Sequence, residues 1–249
     1  MVAFRNKSLV NICVGGVISA LAPTGLWAAP AACEVRSGER LTPVIELYTS
    51  EGCSSCPPAD QWLSTLKGKP VVAQAFHVAY WDYIGWKDPF ANASHTARQK
   101  ELAVANGLSG IYTPQVVRDG RDWRAWRNPY LDIDTKASPK AAISVRKAEA
   151  ADTFEASVTP ASSTQKWTAY WTVTEHNHSS HVRAGENAGE FLKHDFLVVQ
   201  YEPQGIFQGT QALNFRAMAS HPDHPRQINL VVLDTQTGTT LQAVSLTCS

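Results

Sequence analysis

The cysteine pair at residues 53 and 56 is the part of the sequence best suited to chemistry. Cys53-Ser54-Ser55-Cys56 follows a predicted strand directly and begins a predicted helix. Amide groups at a helix N-terminus point at the first sulfur, the helix dipole favours its thiolate, and the serine hydroxyls add donors. Lowering the pKa of a thiol from about 8.5 to about 7 requires only about 2 kcal/mol of preferential thiolate stabilisation. We therefore interpret the pair as redox-active, with Cys53 accessible and Cys56 shielded; an inert disulfide and half of a zinc site are the alternatives.

Histidines form a second group of candidate ligands. His77 ends a predicted strand on the same sheet edge, where it could assist the thiols or join Cys53 and Cys56 in binding Cu(I), although a packed core histidine is an equal alternative. The run HNHSSH at 176–181 carries three more, which could bind Cu or Zn or simply form a polar hairpin tip. The sequence contains no nucleophile elbow, phosphate loop or HExxH motif.

The cysteine pair and His77 lie in the first half of the chain, where short apolar runs alternate with helical stretches. The pattern predicts buried strands at 44–48 and 71–78, helices at 57–66 and 95–106, and a hairpin at 114–123. Residues 129–135 start a further helical pattern, which Pro139 ends early. Strand, helix, strand, helix and hairpin in this order predict an α/β layer.

The periodicity changes after residue 141, where the helical pattern disappears. Apolar and polar side chains alternate at 154–159 and 167–174, and a further hairpin is predicted over 228–246. This alternation is typical of antiparallel strands with one buried face. We therefore predict a small β-sandwich packed on the first half, with a boundary near residues 137–142.

The segments around the cysteines resemble the thioredoxin superfamily and, more closely, a bacterial secreted family known as domain of unknown function 1223. The matching stretches are VIELYTSEGCSSCPPAD at 44–60, AFHVAYWDYIGWKDPFANASHTARQ at 75–99, YTPQVVRDG at 112–120 and, more weakly, GENAGEFLKHDFLVV at 185–199. The resemblance implies a thioredoxin-like fold with Cys53 as nucleophile and Cys56 as resolving thiol. It also implies that Thr113-Pro114 forms a cis-proline loop, which packs against the cysteines and offers backbone groups to a substrate.

The chain departs from thioredoxins at three places. Glu51-Gly52 stands where thioredoxins have a tryptophan before the first cysteine. Glu46 is seven residues before Cys53 instead of six, so alternation along the strand turns its side chain to the other face of the sheet. The insertion DYIGWKDPF at 82–90 is predicted to form an aromatic wall near the site. Trp81, Tyr83 and Trp86 are predicted to line the approach of the substrate.

The first 31 residues have the three-part layout of a secretory signal peptide. Arg5 and Lys7 precede an uncharged stretch at 8–32 that ends in small residues, and we expect cleavage after residue 31 or 32. A membrane anchor that stays attached is the alternative, and no other stretch is long and apolar enough to span a membrane. The layout predicts a periplasmic or secreted protein in a compartment that permits disulfides. Cys33 and Cys248 lie at the two mature ends and are expected to form a structural disulfide.

The composition is that of a folded globular protein. The 249 residues include 22 basic and 22 acidic side chains, and 44% are hydrophobic. This balance excludes collagen-like, disordered and polybasic classes and, with them, binding to nucleic acid through a basic surface. Taken together, the sequence predicts an α/β fold class with a signal peptide at 1–31, a thioredoxin-like domain at 32–140 and a β-sandwich-like, all-β domain at 141–249.

Three functions are compatible with these features. The first is an exported thiol–disulfide oxidoreductase that uses no cofactor and acts on the thiols or disulfides of exported proteins, together with an unknown redox partner. The second is a periplasmic copper metallochaperone that holds the metal with Cys53, Cys56 and His77. The third is a binding module without catalytic activity, in which the β-rich domain provides the binding surface.

Overall fold

The computed structural model of the protein describes residues 1–4, 33–128 and 136–248. Contacts group the chain into two units, 1–31 and 32–249. In the first unit, the described residues 1–4 form neither helix nor strand. The apolar stretch and cleavage site of the predicted signal peptide lie outside the described residues, as does the helix predicted at 129–135. None of the helices within the described ranges is long and apolar enough to cross a membrane.

Strands dominate the second unit. In the described ranges, the helices are α1 (Pro57–Ser64), α2 (Ala93–Ala105) and two short 3-10 helices, Ala79–Ile84 and Arg124–Arg127. The strands are β1 (Glu34–Arg36), β2 (Val44–Thr49), β3 (Val72–His77), β4 (Gln115–Arg118), β5 (Arg121–Asp122), β6 (Ala141–Lys147), β7 (Thr153–Pro160), β8 (Lys166–Glu175), β9 (His178–His181), β10 (Phe191–His194), β11 (Leu197–Gln208), β12 (Gln211–Arg216), β13 (Arg226–Asp234) and β14 (Thr240–Leu246).

The strands of the described residues form three sheets. An eight-stranded sheet has the order β14-β13-β8-β11-β3-β2-β4-β5, and a four-stranded sheet has the order β1-β6-β7-β12. Strands β9 and β10 form a separate antiparallel pair. In the eight-stranded sheet, β3 is parallel to both β2 and β11, whereas the other pairs are antiparallel. The large sheet therefore takes strands from both halves of the chain.

The predicted α/β fold class, a thioredoxin-like domain followed by a β-sandwich-like domain, is wrong. The structure is mostly β, with 41% strand and 15% helix in several sheets. Apolar runs correctly mark β2 and β3 as buried strands, because α1 covers one face of the sheet and α2 the other. Such a run does not reveal the neighbouring strand, and here β11 pairs with β3 and extends the sheet into β8, β13 and β14. The division of the chain at residue 140 stays a prediction.

A large apolar core lies between the four-stranded sheet and the antiparallel part of the eight-stranded sheet. Trp171 of β8 stacks on Phe215 of β12 with a centroid distance of 5.0 Å, and both side chains are fully buried. Val145 of β6 and Leu230 of β13 belong to the same core. Alternation along these strands places such side chains on the inner faces, where their burial stabilises the packing of the two sheets.

Two long-range links tie the ends and the middle of this unit together. Cys33 and Cys248 form a disulfide with a Cα–Cα distance of 5.7 Å, which confirms the predicted pair. On the α2 side of the sheet, Arg98 Nη2 donates to Glu46 Oε1 at 2.6 Å, and Tyr170 Oη donates to the same oxygen at 2.9 Å. Burial raises the pKa of Glu46, but the charge and hydrogen bonds of Arg98 more than offset it and lower the pKa overall. Glu46 thus faces away from α1, as the alternation predicts.

Candidate functional site

The two central cysteines form a disulfide in a turn directly before α1. The Cα–Cα distance of Cys53 and Cys56 is 5.4 Å, and Cys56 is the N-cap residue of the helix. The Cys53 amide donates to the carbonyl of Ser50 at 3.2 Å, and the Cys56 amide donates to the carbonyl of Cys53 at 3.1 Å. The oxygen of Ser55 lies 3.4 Å from the sulfur of Cys53. In the reduced state this hydroxyl is placed to donate to a Cys53 thiolate and to stabilise it.

The N-terminus of α1 provides fewer free backbone amides than expected for a helix that begins directly after the cysteine pair. Pro57 and Pro58 occupy the first two helical positions and have no N–H group. The amides of Ala59 and Asp60 both donate to the carbonyl of Cys56, at 2.8 and 3.2 Å. Stabilisation of a thiolate at this helix end therefore depends on the helix dipole and on the Ser55 hydroxyl more than on amides of the first turn.

A loop from the second half of the chain covers the disulfide. We call residues 182–190, which connect β9 and β10, the cover loop. The side-chain amide of Asn187 donates to the carbonyls of Glu51 and Cys53, at 2.8 and 3.0 Å, and the carboxylate of Glu186 accepts from the Ser54 amide at 2.9 Å. Both cysteines are buried, at 1% and 0% exposure. The expectation that Cys53 is accessible is therefore wrong for this closed arrangement.

Two of the aromatic residues predicted to line the approach of the substrate contact the cysteine turn. Trp81 Nε1 donates to Thr113 Oγ1 at 2.7 Å, and a Cβ atom added to Gly52 would lie 3.0 Å from the Cβ of Trp81. Trp86 Nε1 donates to a carboxylate oxygen of Glu51 at 2.8 Å. Tyr83 is 83% exposed. The structure thus places Trp81 and Trp86 against the turn and leaves the Tyr83 ring at the surface.

The proline loop has the cis peptide bond that the resemblance implies. The peptide bond between Thr113 and Pro114 is cis. Thr113 is linked to the cysteine turn through Trp81, which packs on Gly52 and donates to the Thr113 hydroxyl. The role of this loop in substrate binding stays a prediction.

Two buried histidines lie close to the base of the turn. His77 Nδ1 donates to Asp88 Oδ2 at 2.7 Å in the tautomer that this carboxylate favours, and His194 Nε2 lies 2.9 Å from Glu51 Oε1. The two rings are nearly perpendicular, with a centroid distance of 4.8 Å. Together with Asp60 of α1, they bring one potential ligand atom each to within 4.8 Å of one another. We call Asp60, His77 and His194 the histidine cluster; the copper set that joins His77 to the two cysteines stays a prediction.

The charges around the histidine cluster depend on one another. Burial raises the pKa of Asp60, and the nearby imidazoles offset this only in part. Burial raises the pKa of Asp88, but the charge of His77 outweighs this effect and lowers the pKa overall. Burial also raises the pKa of Glu51, but hydrogen bonds from His194, Ser180 and Trp86 outweigh it and lower that pKa overall. Burial lowers the pKa of His77, but the Asp88 carboxylate outweighs this and raises it.

The histidine-rich run at 176–181 has a different environment. His178 Nε2 lies 2.8 Å from Glu175 Oε2, and its ring stacks on His224 with a centroid distance of 3.7 Å. His176 lies 3.5 Å from a carboxylate oxygen of Asp195. Within the described residues, no group that could hold a metal ion includes these histidines. Their contacts are those of a polar segment of the β9–β10 pair.

Several residues of the site were not singled out by sequence reasoning. They are the side chains that hold the cysteine turn, the cover loop and the histidines together: Glu51, Asp60, Asp88, Glu186, Asn187 and His194. Each of them lies within one of the four matching segments at 44–60, 75–99, 112–120 and 185–199. The segments were therefore a usable signal for the region. They could not reveal which side chains meet, because partners such as Glu51 and His194 are 143 positions apart.

Comparisons with known proteins give a family and two related structures. The model of the family described as "Protein of unknown function (DUF1223)" matches residues 44–234. The crystal structure of protein AGR_C_4864 from Agrobacterium tumefaciens is 25% identical, with a TM-score of 0.66 over 85% of this chain and 96% of that chain. HBP35 of Porphyromonas gingivalis is 13% identical, with a TM-score of 0.56 over 84% of this chain and 76% of that chain, and its likeness concerns the fold alone. No curated protein matches the sequence.

Proposed function

Because the chain belongs to the DUF1223 family, whose description states no activity, we propose a function from the site itself. The protein acts as an exported thiol–disulfide oxidoreductase, and the pair Cys53–Cys56 exchanges with thiols or disulfides of exported proteins. Cys53 is the sulfur that bonds to the substrate, because Ser55 contacts it and the turn places it before the helix. Cys56, as the N-cap residue, is the resolving sulfur.

The observation that carries this proposal is the short loop that the disulfide closes. Cys53 and Cys56 are three positions apart, whereas Cys33 and Cys248 are 215 positions apart. On the chain-entropy model, closing the short loop stabilises the fold by about 2 kcal/mol and closing the long one by about 5 kcal/mol. A crosslink that stabilises so little is a poor structural device. The fold can open and close it without a large change in stability, as a redox-active pair requires.

The exchange reaction consists of two successive nucleophilic displacements at sulfur. A substrate thiolate attacks the Cys53 sulfur, the bond between Cys53 and Cys56 breaks, and Cys56 leaves as a thiolate that takes up a proton. A second substrate thiolate then attacks the substrate sulfur of the mixed disulfide, the bond to Cys53 breaks, and Cys53 leaves as a thiolate that takes up a proton. The substrate thereby gains a disulfide and the enzyme gains two thiols. Two electrons pass from the substrate to the enzyme, and the unknown redox partner removes them. The same steps in reverse reduce a substrate disulfide.

The cover loop defines where a substrate would bind. Asn187 and Glu186 bond to three backbone groups of the turn, namely the carbonyls of Glu51 and Cys53 and the amide of Ser54. A polypeptide in extended conformation has the donors and acceptors to replace these side chains once the loop opens. Loop opening would therefore expose the sulfur and the backbone groups in one step. This supports a protein substrate over a small thiol.

Single cysteine variants test the proposal. The Cys56→Ser chain should form mixed disulfides with exported proteins through Cys53, because nothing remains to resolve them. The Cys53→Ser chain is the matched control and should trap few partners, because Cys56 lies at the helix end beneath the turn. Non-reducing gels and mass spectrometry of extracts count the trapped species. Equal trapping by both variants, or none by either, would refute the assignment of Cys53 as the sulfur that bonds to the substrate.

A further inference from the structure

The histidine cluster contains two buried nitrogen atoms for which the described part of the chain provides no hydrogen-bond partner. Within the described residues, His77 Nε2 and His194 Nδ1 are both buried and have no hydrogen-bond partner. His77 is 0% exposed and His194 is 3% exposed, so bulk water does not reach them freely. Buried polar atoms nearly always have a partner, and an orphan atom requires an explanation such as a missing ion. Two orphan nitrogens lie here in rings whose centroids are 4.8 Å apart.

The opposite nitrogen of each ring is held by a carboxylate. His77 Nδ1 contacts Asp88 at 2.7 Å and His194 Nε2 contacts Glu51 at 2.9 Å. In the neutral rings these nitrogens carry the protons, so the orphan nitrogens keep their lone pairs. Metal-binding histidines show this arrangement, in which the second nitrogen donates to a carboxylate that fixes the tautomer and orients the ring. Asp88 is itself fixed by the backbone amide of Glu51, which donates to it at 2.9 Å.

A third ligand and an access path complete the set. Asp60 lies in the first turn of α1, and its Oδ2 accepts from the hydroxyl of Thr49 at 2.8 Å. One ligand atom from each of Asp60, His77 and His194 comes to within 4.8 Å of the others. Asp60 and His194 also line a surface pocket of about 170 Å³. The Phe90 ring packs against both imidazoles, with centroid distances of 5.6 and 5.3 Å, and provides an apolar wall.

We infer that Asp60, His77 and His194 bind a divalent transition-metal ion, with Zn²⁺ as the ion that fits the ligands best. Two imidazoles and one carboxylate leave a fourth coordination position for a non-protein ligand, as in zinc sites with three protein ligands. Mg²⁺ and Ca²⁺ are disfavoured, because they require oxygen ligands. Three buried carboxylates, Asp60, Asp88 and Glu51, surround the two imidazoles, and a divalent cation would neutralise two of their negative charges.

Binding requires a small contraction of the cluster. Ligands at about 2.0–2.1 Å from a tetrahedral ion lie about 3.3 Å from one another, whereas the ligand atoms here are spread over 4.8 Å. Rotation of the imidazoles about their carboxylate contacts and of the Asp60 side chain can supply this movement. The site uses no sulfur atom, so the inference does not depend on the proposed redox function.

Titration of the oxidised chain with metal tests the inference. In this state Cys53 and Cys56 are joined and cannot act as ligands. The purified chain is stripped with EDTA and titrated with Co²⁺, whose visible absorption reports a low-coordinate site, and Zn²⁺ is then added as a competitor. We expect one equivalent of Co²⁺ per chain, an absorption band of nitrogen and oxygen ligation, and displacement by one equivalent of Zn²⁺. Binding of less than half an equivalent would overturn the inference.

Variants then locate the ion. His194→Gln and Asp60→Asn should each weaken Co²⁺ binding by more than about 100-fold, and Asp88→Asn, which only orients His77, by about 10- to 100-fold. The control His221→Ala changes an exposed histidine outside the cluster and should bind as the wild type does. Circular dichroism and cooperative thermal unfolding check that each variant folds. If one of the three cluster variants does not fold, the metal affinities of the other two decide whether the ion binds at this site. Undiminished binding in a folded His194→Gln chain, or loss of binding in His221→Ala, would refute the site.

Discussion

We predict that the cover loop controls how fast the central disulfide is reduced, and Asn187→Ala is the change that tests this. The Asn187 side chain is buried and donates two hydrogen bonds to the cysteine turn, to the carbonyls of Glu51 and Cys53. A buried hydrogen bond contributes about 1 kcal/mol net, so the closed loop should lose about 2 kcal/mol relative to the open one. Since about 1.4 kcal/mol corresponds to a factor of ten, the open fraction should rise about 30-fold.

The rate of reduction measures this open fraction. Both cysteines are buried when the loop is closed, so a small thiol reductant can attack only the open form, and the rate follows the population of that form. The oxidised chain is mixed with excess dithiothreitol, quenched with an alkylating reagent at intervals, and its cysteine peptides are quantified by mass spectrometry. We expect the pair Cys53–Cys56 to be reduced about 30-fold faster in Asn187→Ala than in the wild type.

Two internal comparisons make the outcome decisive. The disulfide that involves Cys248, an exposed residue outside the loop, should be reduced at the wild-type rate in the same samples. Asn214→Ala, which truncates an exposed asparagine of β12, should change neither disulfide. An increase of less than about threefold for the central pair would mean that the two hydrogen bonds do not hold the loop closed. Equal acceleration of both disulfides would show global destabilisation and would also refute the reasoning.

Four further predictions concern stability. Cys33→Ser with Cys248→Ser should lower the free energy of unfolding in urea by about 5 kcal/mol, because the unfolded chain regains the entropy of a long loop. Arg98→Met should cost about 3–5 kcal/mol by leaving the buried Glu46 carboxylate without its charged partner. Because folding lowers the pKa of Glu46, the ionised carboxylate contributes fully to the free energy of unfolding above about pH 4.5, and this contribution is lost as the pH falls below that value. A Glu46→Gln chain should not show this loss of stability when unfolding is measured across the acid range. Gly52→Ala should lower the free energy of unfolding by about 1–3 kcal/mol, because the added methyl group meets Trp81 at 3.0 Å; an unchanged urea midpoint would refute the close contact.

Local patterns predicted the elements near the cysteines well. Strands predicted at 44–48 and 71–78 are found as β2 and β3, and helices predicted at 57–66 and 95–106 are found as α1 and α2, with ends shifted by up to two residues. These assignments depend on the periodicity of apolar side chains and on Gly and Pro positions, which act within a few residues. The Cys33–Cys248 pair was also predictable, because both cysteines lie close to the ends of the folded chain.

Long-range pairing was the part that the sequence did not reveal. Leu197 of β11 lies beside Ala75 of β3, although they are 122 positions apart, and this parallel pair joins strands from both halves of the chain in one eight-stranded sheet. The same segment of chain brings His194 next to His77 and Glu51. No local periodicity records which strand edge another strand will occupy, so neither the fold class nor the histidine cluster could be derived from the pattern alone.

The long-loop disulfide makes the polypeptide between Cys33 and Cys248 a covalent ring. A single peptide bond cut anywhere inside this ring, for example by a protease in the compartment where the protein resides, opens the ring but releases no fragment. The nicked molecule keeps its mass and all of its strands in one covalent piece until a reductant reaches Cys33 and Cys248. The disulfide also holds Cys33 and Cys248 side by side, with a Cα–Cα distance of 5.7 Å, so segments attached before Cys33 and after Cys248 start from nearly the same point. Partial proteolysis followed by non-reducing and reducing electrophoresis would show this directly, as one band without reductant and two bands with it.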